Sequence, residues 1–161
     1  MPPREISSAK RTWRSNAKEP TERQVYLLLQ HVSGELVHEL SMLLKAEGIT
    51  PEQYQVLRIL SDAGSAGTPL SLIAERSPAG DPDITRLIDR LEQRGLAKRE
   101  RDSDDRRVVT AKITSGGRRL HDRLEKPVAA LHHRQLATLG HQGLSDLKRL
   151  LQKVAEVGPV I

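Results

Sequence analysis

Apolar residues recur at helical spacing along the first third of the chain. From Thr21 onward they follow one another at intervals of three or four positions, which predicts one face of a long helix; this stripe consists of Val25, Leu28, Val32, Leu36, Leu40 and Leu43. Gly48 is expected to end the helix. Thr50 and Pro51 then place a capping residue before a proline at the first helical position, which predicts a second helix through Leu60.

Two short helices separated by a turn are predicted next. Thr68 and Pro69 repeat the cap-and-proline pattern for a third helix, and Asp81 and Pro82 do so for a fourth helix that ends at Gly95. The spacing of apolar residues in the fourth helix predicts its buried face, which carries Ile84, Leu87, Ile88 and Leu91. The opposite face is polar and carries Asp83, Thr85, Arg86, Asp89, Arg90 and Gln93. This order of elements is typical of a helix-turn-helix.

Alternating apolar and polar residues then predict a small β-hairpin. Its first strand is expected at residues 96–100, and its second strand contains Val109, Ala111 and Ile113. Two amphipathic helices complete the chain, the first marked by Leu120, Leu124, Val128 and Leu131 and the second by Leu144, Leu147, Leu151 and Val154. The pattern therefore predicts a mainly α fold with one hairpin.

The charge balance of the chain favours an anionic partner. The 161 residues carry a formal net charge of +5, and the isoelectric point is near 9.8. Residues 86–123 alone contain twelve basic and seven acidic residues, a surplus equal to that of the whole chain. Aromatic residues make up 2% of the chain and apolar runs are short, so nucleic acid is favoured over a membrane.

Two further observations bear on the compartment and on the chemistry. The N-terminal segment has no apolar core of the kind a secretory signal requires, which predicts a cytoplasmic protein. The chain has no cysteine, which excludes disulfides, thiolate zinc sites and cysteine-based redox sensing. It also has no glycine-rich phosphate loop and no nucleophile elbow, so neither enzymatic activity nor a cofactor is expected.

Three stretches of the sequence resemble the MarR family of winged helix-turn-helix transcriptional regulators. They are TPEQYQVLRIL, DITRLIDRLEQRGL and DDRRVVTAKITSGGRRL. The wing signature of that family is an Asp-x-Arg followed by a strand and then by a Thr and a Gly that open a helix. Asp105, Arg107, Thr114 and Gly117 satisfy it here.

The resemblance implies both an architecture and a function. It implies a winged helix-turn-helix DNA-binding region at 50–114 and a helical dimerisation region formed by 21–48 and 115–158. Residues 1–20 precede these regions, and their polar, basic composition predicts a flexible arm. It further implies a homodimer that binds double-stranded DNA at a pseudo-palindromic operator, as a repressor rather than an activator. A small phenolic or carboxylate effector is expected to release the DNA.

The fourth helix is expected to enter the major groove by its N-terminal end, because such helices read bases mainly from their first residues. Thr85 can touch a thymine methyl group, and Arg86 can pair with guanine through two hydrogen bonds. Arg90, one turn further on, is expected to reach phosphate. The full set of expected DNA contacts also draws on the third helix and the wing: Ser71, Asp83, Thr85, Arg86, Arg90, Asp105, Arg106 and Arg107.

The charged loop of the hairpin has two interpretations. It can be a solvated surface, as mixed-charge runs usually are. Alternatively, Asp105 aims an arginine into the minor groove, since residues two apart in an extended segment share a face and a narrow minor groove attracts arginine. Arg107 is the first choice for this contact and Arg106 the second.

A small-molecule site is expected near Tyr54, with His31 or His38 opposite, although Tyr54 can equally be a core residue with its hydroxyl at the surface. His31 and His38 also lie within one turn of Glu35, so a zinc-responsive regulator on the same fold is an alternative. The spacing lacks a tight ligand pair, and no metal is expected. A winged helix that binds only protein is the other alternative.

Overall fold

The computed structural model describes residues 20–77, 83–101 and 108–156. Within these residues the chain forms six α-helices, one 3-10 turn and three β-strands. In chain order they are α1 (Thr21–Lys45), α2 (Pro51–Ala63), β1 (Thr68–Pro69), α3 (Leu70–Arg76), α4 (Ile84–Gln93), β2 (Ala97–Arg101), β3 (Val109–Ile113), α5 (Ser115–Leu136), the 3-10 turn (Ala137–Leu139) and α6 (Gly140–Glu156). The fold is mainly α with a small antiparallel sheet, which confirms the predicted class.

The chain divides into two compact units, Met1–His38 and Glu39–Ile161. The described part of the first unit is most of α1, and none of its side chains is buried. Five of its large apolar side chains are exposed: Val25, Tyr26, Leu29, Val32 and Val37. Of the predicted stripe, Val25 and Val32 are exposed and Leu28 and Leu36 are half-buried, and no described residue of this unit buries any of the four.

The second unit holds the hydrophobic core. Leu57 and Leu60 of α2 are fully buried, and Ile88 and Leu91 of α4 are buried with them. Because Ile84, Ile88 and Leu91 are spaced by four and three positions, they lie on one face of α4 and point into this core. The predicted core face of the fourth helix is thereby confirmed.

The predicted start of α2 is confirmed in detail. Thr50 is the N-cap, and its hydroxyl accepts a hydrogen bond from the backbone N–H of Gln53 at 3.3 Å. The Gln53 side chain returns a bond by accepting from the Thr50 backbone N–H at 3.0 Å. Pro51 occupies the first turn, where its missing N–H costs nothing.

The sheet contains one strand more than predicted. Its order is β1-β3-β2, with Thr68 opposite Ala111 and Pro69 opposite Thr110. The sequence interpretation of Thr68 and Pro69 as the start of a helix was therefore wrong, and α3 begins at Leu70. Gly67 makes the pairing possible, because it has a φ of +76° and an added Cβ would lie 2.8 Å from the carbonyl oxygen of Ala111.

The fourth helix begins later than predicted. Asp83 is its N-cap, and Oδ1 of Asp83 accepts from the backbone N–H of Arg86 at 3.2 Å. The predicted cap, Asp81, and the predicted first helical residue, Pro82, lie outside the described residues. Two aspartates spaced two apart have the same capping chemistry, so sequence alone could not choose between them.

The last strand leads directly into α5. Thr114 caps α5 by accepting from the backbone N–H of Gly117 at 3.0 Å, and its hydroxyl also donates to the carbonyl of Gly95 at 2.6 Å. Gly117 lies so close to the preceding turn that an added Cβ would be 2.0 Å from the carbonyl oxygen of Leu96. The start of α5 is thus packed directly against the turn that precedes the hairpin.

The C-terminal helix α6 has no buried residue. Leu147 is half-buried, and the other large apolar side chains of α6 are exposed together with one from the preceding 3-10 turn: Leu139, Leu144, Leu150, Leu151 and Val154. An amphipathic helix is expected to bury its apolar face. The predicted final helix is present, but its apolar face is uncovered.

Candidate nucleic-acid interface

The outer face of α4 presents the predicted base-reading residues to solvent. Thr85, Arg86 and Arg90 are exposed, and Arg86 has 79% of its side chain accessible. Ser71 is exposed on the neighbouring helix α3. Since Ile88 on the other face is fully buried, the helix offers one polar surface and one core surface.

Asp83 organises the start of this surface. Besides capping the helix, its Oδ2 lies 2.9 Å from Nε of Arg86. This ion pair uses the Nε edge of the guanidinium, whereas the edge formed by Nη1 and Nη2 can still present two parallel donors to a guanine. A carboxylate at this position therefore orients Arg86.

Arg99 of β2 binds the two other acids of α4. Its Nη1 donates to Oδ1 of Asp89 at 2.5 Å and lies 3.5 Å from Oε2 of Glu92. Its Nη2 donates to the backbone carbonyl of Thr85 at 2.6 Å, and its backbone N–H donates to Oε1 of Glu92. These acids would repel phosphate if unpaired, and the positive charge of Arg99 offsets one of the two negative charges from within the protein.

Several basic residues of the segment 86–123 form hydrogen bonds or ion pairs within the protein. Arg94 donates to the carbonyls of Gly48 at 2.6 Å and Glu47 at 2.8 Å, at the end of α1. Arg123 pairs with the Glu47 carboxylate at 2.9 Å, and Arg118 donates to Ser61. Sequence reasoning missed these roles, because the partners lie from 46 to 76 positions away.

The outer face of the hairpin carries a small charge cluster. Lys98 and Lys112 lie opposite each other on β2 and β3, and the Glu100 carboxylate contacts both, at 2.5 Å and 2.7 Å. The hydrogen bonds from Lys112 and then Lys98 lower the pKa of Glu100 to about 2. The Glu100 carboxylate therefore remains ionised throughout the physiological range.

The wing residues Asp105, Arg106 and Arg107 lie outside the described residues. The paired part of the hairpin extends to Arg101 opposite Val109. The minor-groove contact therefore remains a prediction.

Tyr54, the predicted effector contact, lies in the core. Only 7% of it is exposed, and its ring stacks on the buried ring of His121 at a centroid distance of 6.1 Å. Burial raises the pKa of the Tyr54 hydroxyl, and the nearby Glu125 carboxylate adds to the effect against an opposing contribution from Arg58. This environment suits the alternative interpretation of Tyr54 as a core residue.

The two histidines expected near Tyr54 belong to the first unit, where His31 is half-buried and His38 is exposed. No three His, Asp or Glu side chains in residues 20–77, 83–101 and 108–156 are grouped so that they could hold a metal ion. In the same part of the chain, no helix has both the length and the apolar character to cross a membrane.

Known proteins share both the sequence and the fold. The sequence model of the MarR family matches residues 49–109. The HTH-type transcriptional repressor Mb2911 of Mycobacterium bovis is 30% identical over 127 residues, covering 79% of this chain and 90% of that protein. The HTH-type transcriptional regulator FarR of Neisseria gonorrhoeae is 28% identical over 122 residues, covering 76% of this chain and 82% of that protein.

Solved structures agree with these sequence matches. The MarR transcription factor from Planctomyces limnophilus is 35% identical, with a TM-score of 0.64 over 83% of this chain and 97% of that chain. A mutant MarR from Escherichia coli complexed with operator DNA is 25% identical, with a TM-score of 0.74 over 84% of this chain and 99% of that chain. The helix-turn-helix, the hairpin and these similarities together show that the chain belongs to the MarR family of transcriptional regulators.

Proposed function

We propose that this chain is a non-enzymatic transcriptional repressor of the cytoplasm that binds a pseudo-palindromic operator in double-stranded DNA as a homodimer. The observation that carries the proposal is the outer face of α4. Thr85, Arg86 and Arg90 are exposed there, while Asp83 orients Arg86 and Asp89 is neutralised by Arg99. Such a face can enter the major groove without placing unpaired acids against phosphate.

The relatives support the repressor role. Two of them, MdtR of Bacillus subtilis at 29% identity and Mb2911, are named transcriptional repressors. The structure of the mutant E. coli MarR, a protein of the same family, contains operator DNA, which supports DNA binding by this chain.

The homodimer is supported by the uncovered apolar faces. Residues on α1, among them Val25 and Val32, are exposed in the first unit, and Leu151 and Val154 are exposed on α6 in the second. A monomer rarely leaves rows of large apolar side chains exposed to water on two helices, and a two-fold interface would bury them. A dimer also matches the two-fold symmetry of a pseudo-palindromic operator.

One substitution and a matched control test the dimer. Leu151→Glu places a charge on the apolar face of α6, whereas Gln152→Glu makes the same change on the next exposed residue. We expect a dimer mass by sedimentation for the native chain at micromolar concentration in low and high salt. Gln152→Glu should retain that mass and Leu151→Glu should lose it. A monomeric native chain would refute the homodimer.

Selection of DNA tests the operator. The purified protein is mixed with fragmented DNA of its own cell, and the bound fraction is sequenced at moderate salt. We expect an enriched inverted repeat whose half-sites lie about one helical turn, roughly 10 bp, apart. Binding without any enriched sequence would leave only non-specific affinity, and no binding would favour the winged helix that binds only protein.

Release by a small phenolic or carboxylate compound is the remaining part of the proposal. A groove of about 480 Å³ beside the start of α4 supports it, because its wall combines the apolar Leu70 and Val109 with Thr85, Arg99 and Glu100. A panel of phenolic acids should raise the melting temperature and weaken operator binding. Compounds that change neither quantity would remove the effector from the proposal.

A further inference from the structure

Arg99 differs from Lys98, its neighbour on β2, because its guanidinium points toward α4. Its side chain is only 26% exposed, and alternation along β2 places it on the same face as the buried Ala97. Lys98 and Glu100 occupy the opposite, outer face. From sequence, Arg99 is one more cation in a basic hairpin, but the structure turns it toward α4.

The contacts of Arg99 fasten two turns of α4. Thr85, Asp89 and Glu92 are spaced by four and three residues, so they lie along one side of the helix. The guanidinium reaches the first two, and the backbone N–H of Arg99 reaches the third. A planar group held at two points fixes both the distance and the rotation of the helix relative to the strand.

Thr85 gives this attachment its functional meaning. Arg99 holds the backbone carbonyl of Thr85 at 2.6 Å, while the Thr85 side chain is exposed on the predicted base-reading face. Arg86 follows directly in sequence. A shift of the first turn of α4 would therefore displace both residues from the base edges.

We infer that Arg99 is a positioning residue for sequence readout: it fixes α4 against the hairpin so that major-groove and wing contacts are made in register. The inference rests on the proposed function, since it concerns the accuracy of operator recognition. Arg99 itself makes no DNA contact, because both Nη groups donate to α4.

Arg99→Lys is the first test, because it keeps the charge and removes the planar fork. We expect the ratio of operator affinity to random-DNA affinity to fall about tenfold, the size of one lost base contact. Binding to random DNA and the salt dependence should stay unchanged. Arg58→Lys is the matched control, since Arg58 on α2 makes exposed contacts with Gln55 and Asp62. It should leave the ratio unchanged.

Asp89→Asn is the second test, and it does not depend on whether the Lys variant folds. Removing a negative charge near DNA should tighten binding if Asp89 acts only through its charge. If Asp89 serves as the anchor for Arg99, the affinity ratio should fall even though random-DNA binding is unchanged or tighter.

Two results would overturn the inference. An unchanged ratio in Arg99→Lys or Asp89→Asn, with only a lower melting temperature, would reduce Arg99 to a residue that stabilises the fold. If Arg99→Met loses the same affinity for operator and for random DNA, and its slope of log affinity against log salt concentration falls by about one, Arg99 is a phosphate contact. A native protein that selects no operator would instead refute the proposed function, so the two failures can be told apart.

Discussion

Replacement of Gly117 by alanine tests how closely α5 packs against the turn between α4 and β2. In Gly117→Ala, the added methyl carbon would lie 2.0 Å from the Leu96 carbonyl oxygen and 2.9 Å from Cγ1 of Ile113. Carbon and oxygen normally approach no closer than about 3.3 Å. The carbonyl would have to move by roughly 1.3 Å to restore that distance, although it accepts the backbone hydrogen bond from Thr114 at 3.1 Å.

The expected cost follows from these contacts. Overpacking of this kind costs about 1–3 kcal/mol, and weakening the hydrogen bond to Leu96 adds about 1 kcal/mol. Alanine is the better helix former by about 0.5–1 kcal/mol, which offsets part of this. We expect Gly117→Ala to lower the free energy of unfolding by about 1–3 kcal/mol and the melting temperature by roughly 3–10 °C.

Gly34→Ala is the matched control, because Gly34 is also helical but has nothing within 4 Å of its added Cβ. The free energy of unfolding of Gly34→Ala should rise by about 0.5–1 kcal/mol from helix propensity alone. Both variants are melted by circular dichroism at one protein concentration, because self-association would make the melting temperature concentration-dependent. If Gly117→Ala melts at or above the native temperature, the close docking at Leu96 is wrong.

Three further predictions concern DNA binding and titration. Arg86→Ala should cost about 1–3 kcal/mol on the operator and relax selectivity at one position; equal losses on random DNA would make Arg86 a phosphate contact. Arg107→Ala should weaken DNA binding and lower the slope of log affinity against log salt concentration by about one. Asp105→Ala should also weaken DNA binding. Tighter binding by Asp105→Ala would instead favour the interpretation of the wing loop as a solvated surface. Glu100 should titrate near its folded pKa of about 2 by carbon NMR, and Lys112→Ala should move the midpoint toward 4.5. Because the folded pKa is the lower one, the stabilisation by Glu100 is complete above pH 4.5 and is lost as the pH falls toward 2. A native midpoint near 4.5 would contradict the ion pairs.

The parts of the fold that sequence could predict rest on local chemistry. Thr50 caps α2 through Gln53, three residues away, so the signal and its partner lie in one window. The face of α4 with Ile88 follows from periodicity, and the hairpin follows from the alternation that ends at Ile113. In each case the information needed to place the element lies within one short, continuous stretch of the chain.

The parts that escaped prediction depend on distant partners. Thr68 carries the same Thr-Pro pattern as Thr50, but it pairs with Ala111, 43 positions away, and becomes a strand. Arg94 and Arg99 look like DNA contacts in a basic segment. In the structure Arg94 donates to the chain just after α1, and Arg99 donates to α4. Sequence identifies the charge of such a residue but not the direction in which its side chain points.

The junction at Thr114 has a mechanical consequence. Thr114 separates the last residue of β3 from the first residue of α5, and it is bonded to Gly95, Leu96 and Gly117. We therefore expect β3 and the start of α5 to rotate together as one rigid body. The 22 residues of α5 make an arm of about 33 Å, so a tilt of about 5° at the hairpin displaces its far end by about 3 Å, roughly half a helical turn. A small rotation at the hairpin end of α5 would thus become a displacement of about 3 Å near Leu136, less whatever bending Pro127 inside the helix absorbs.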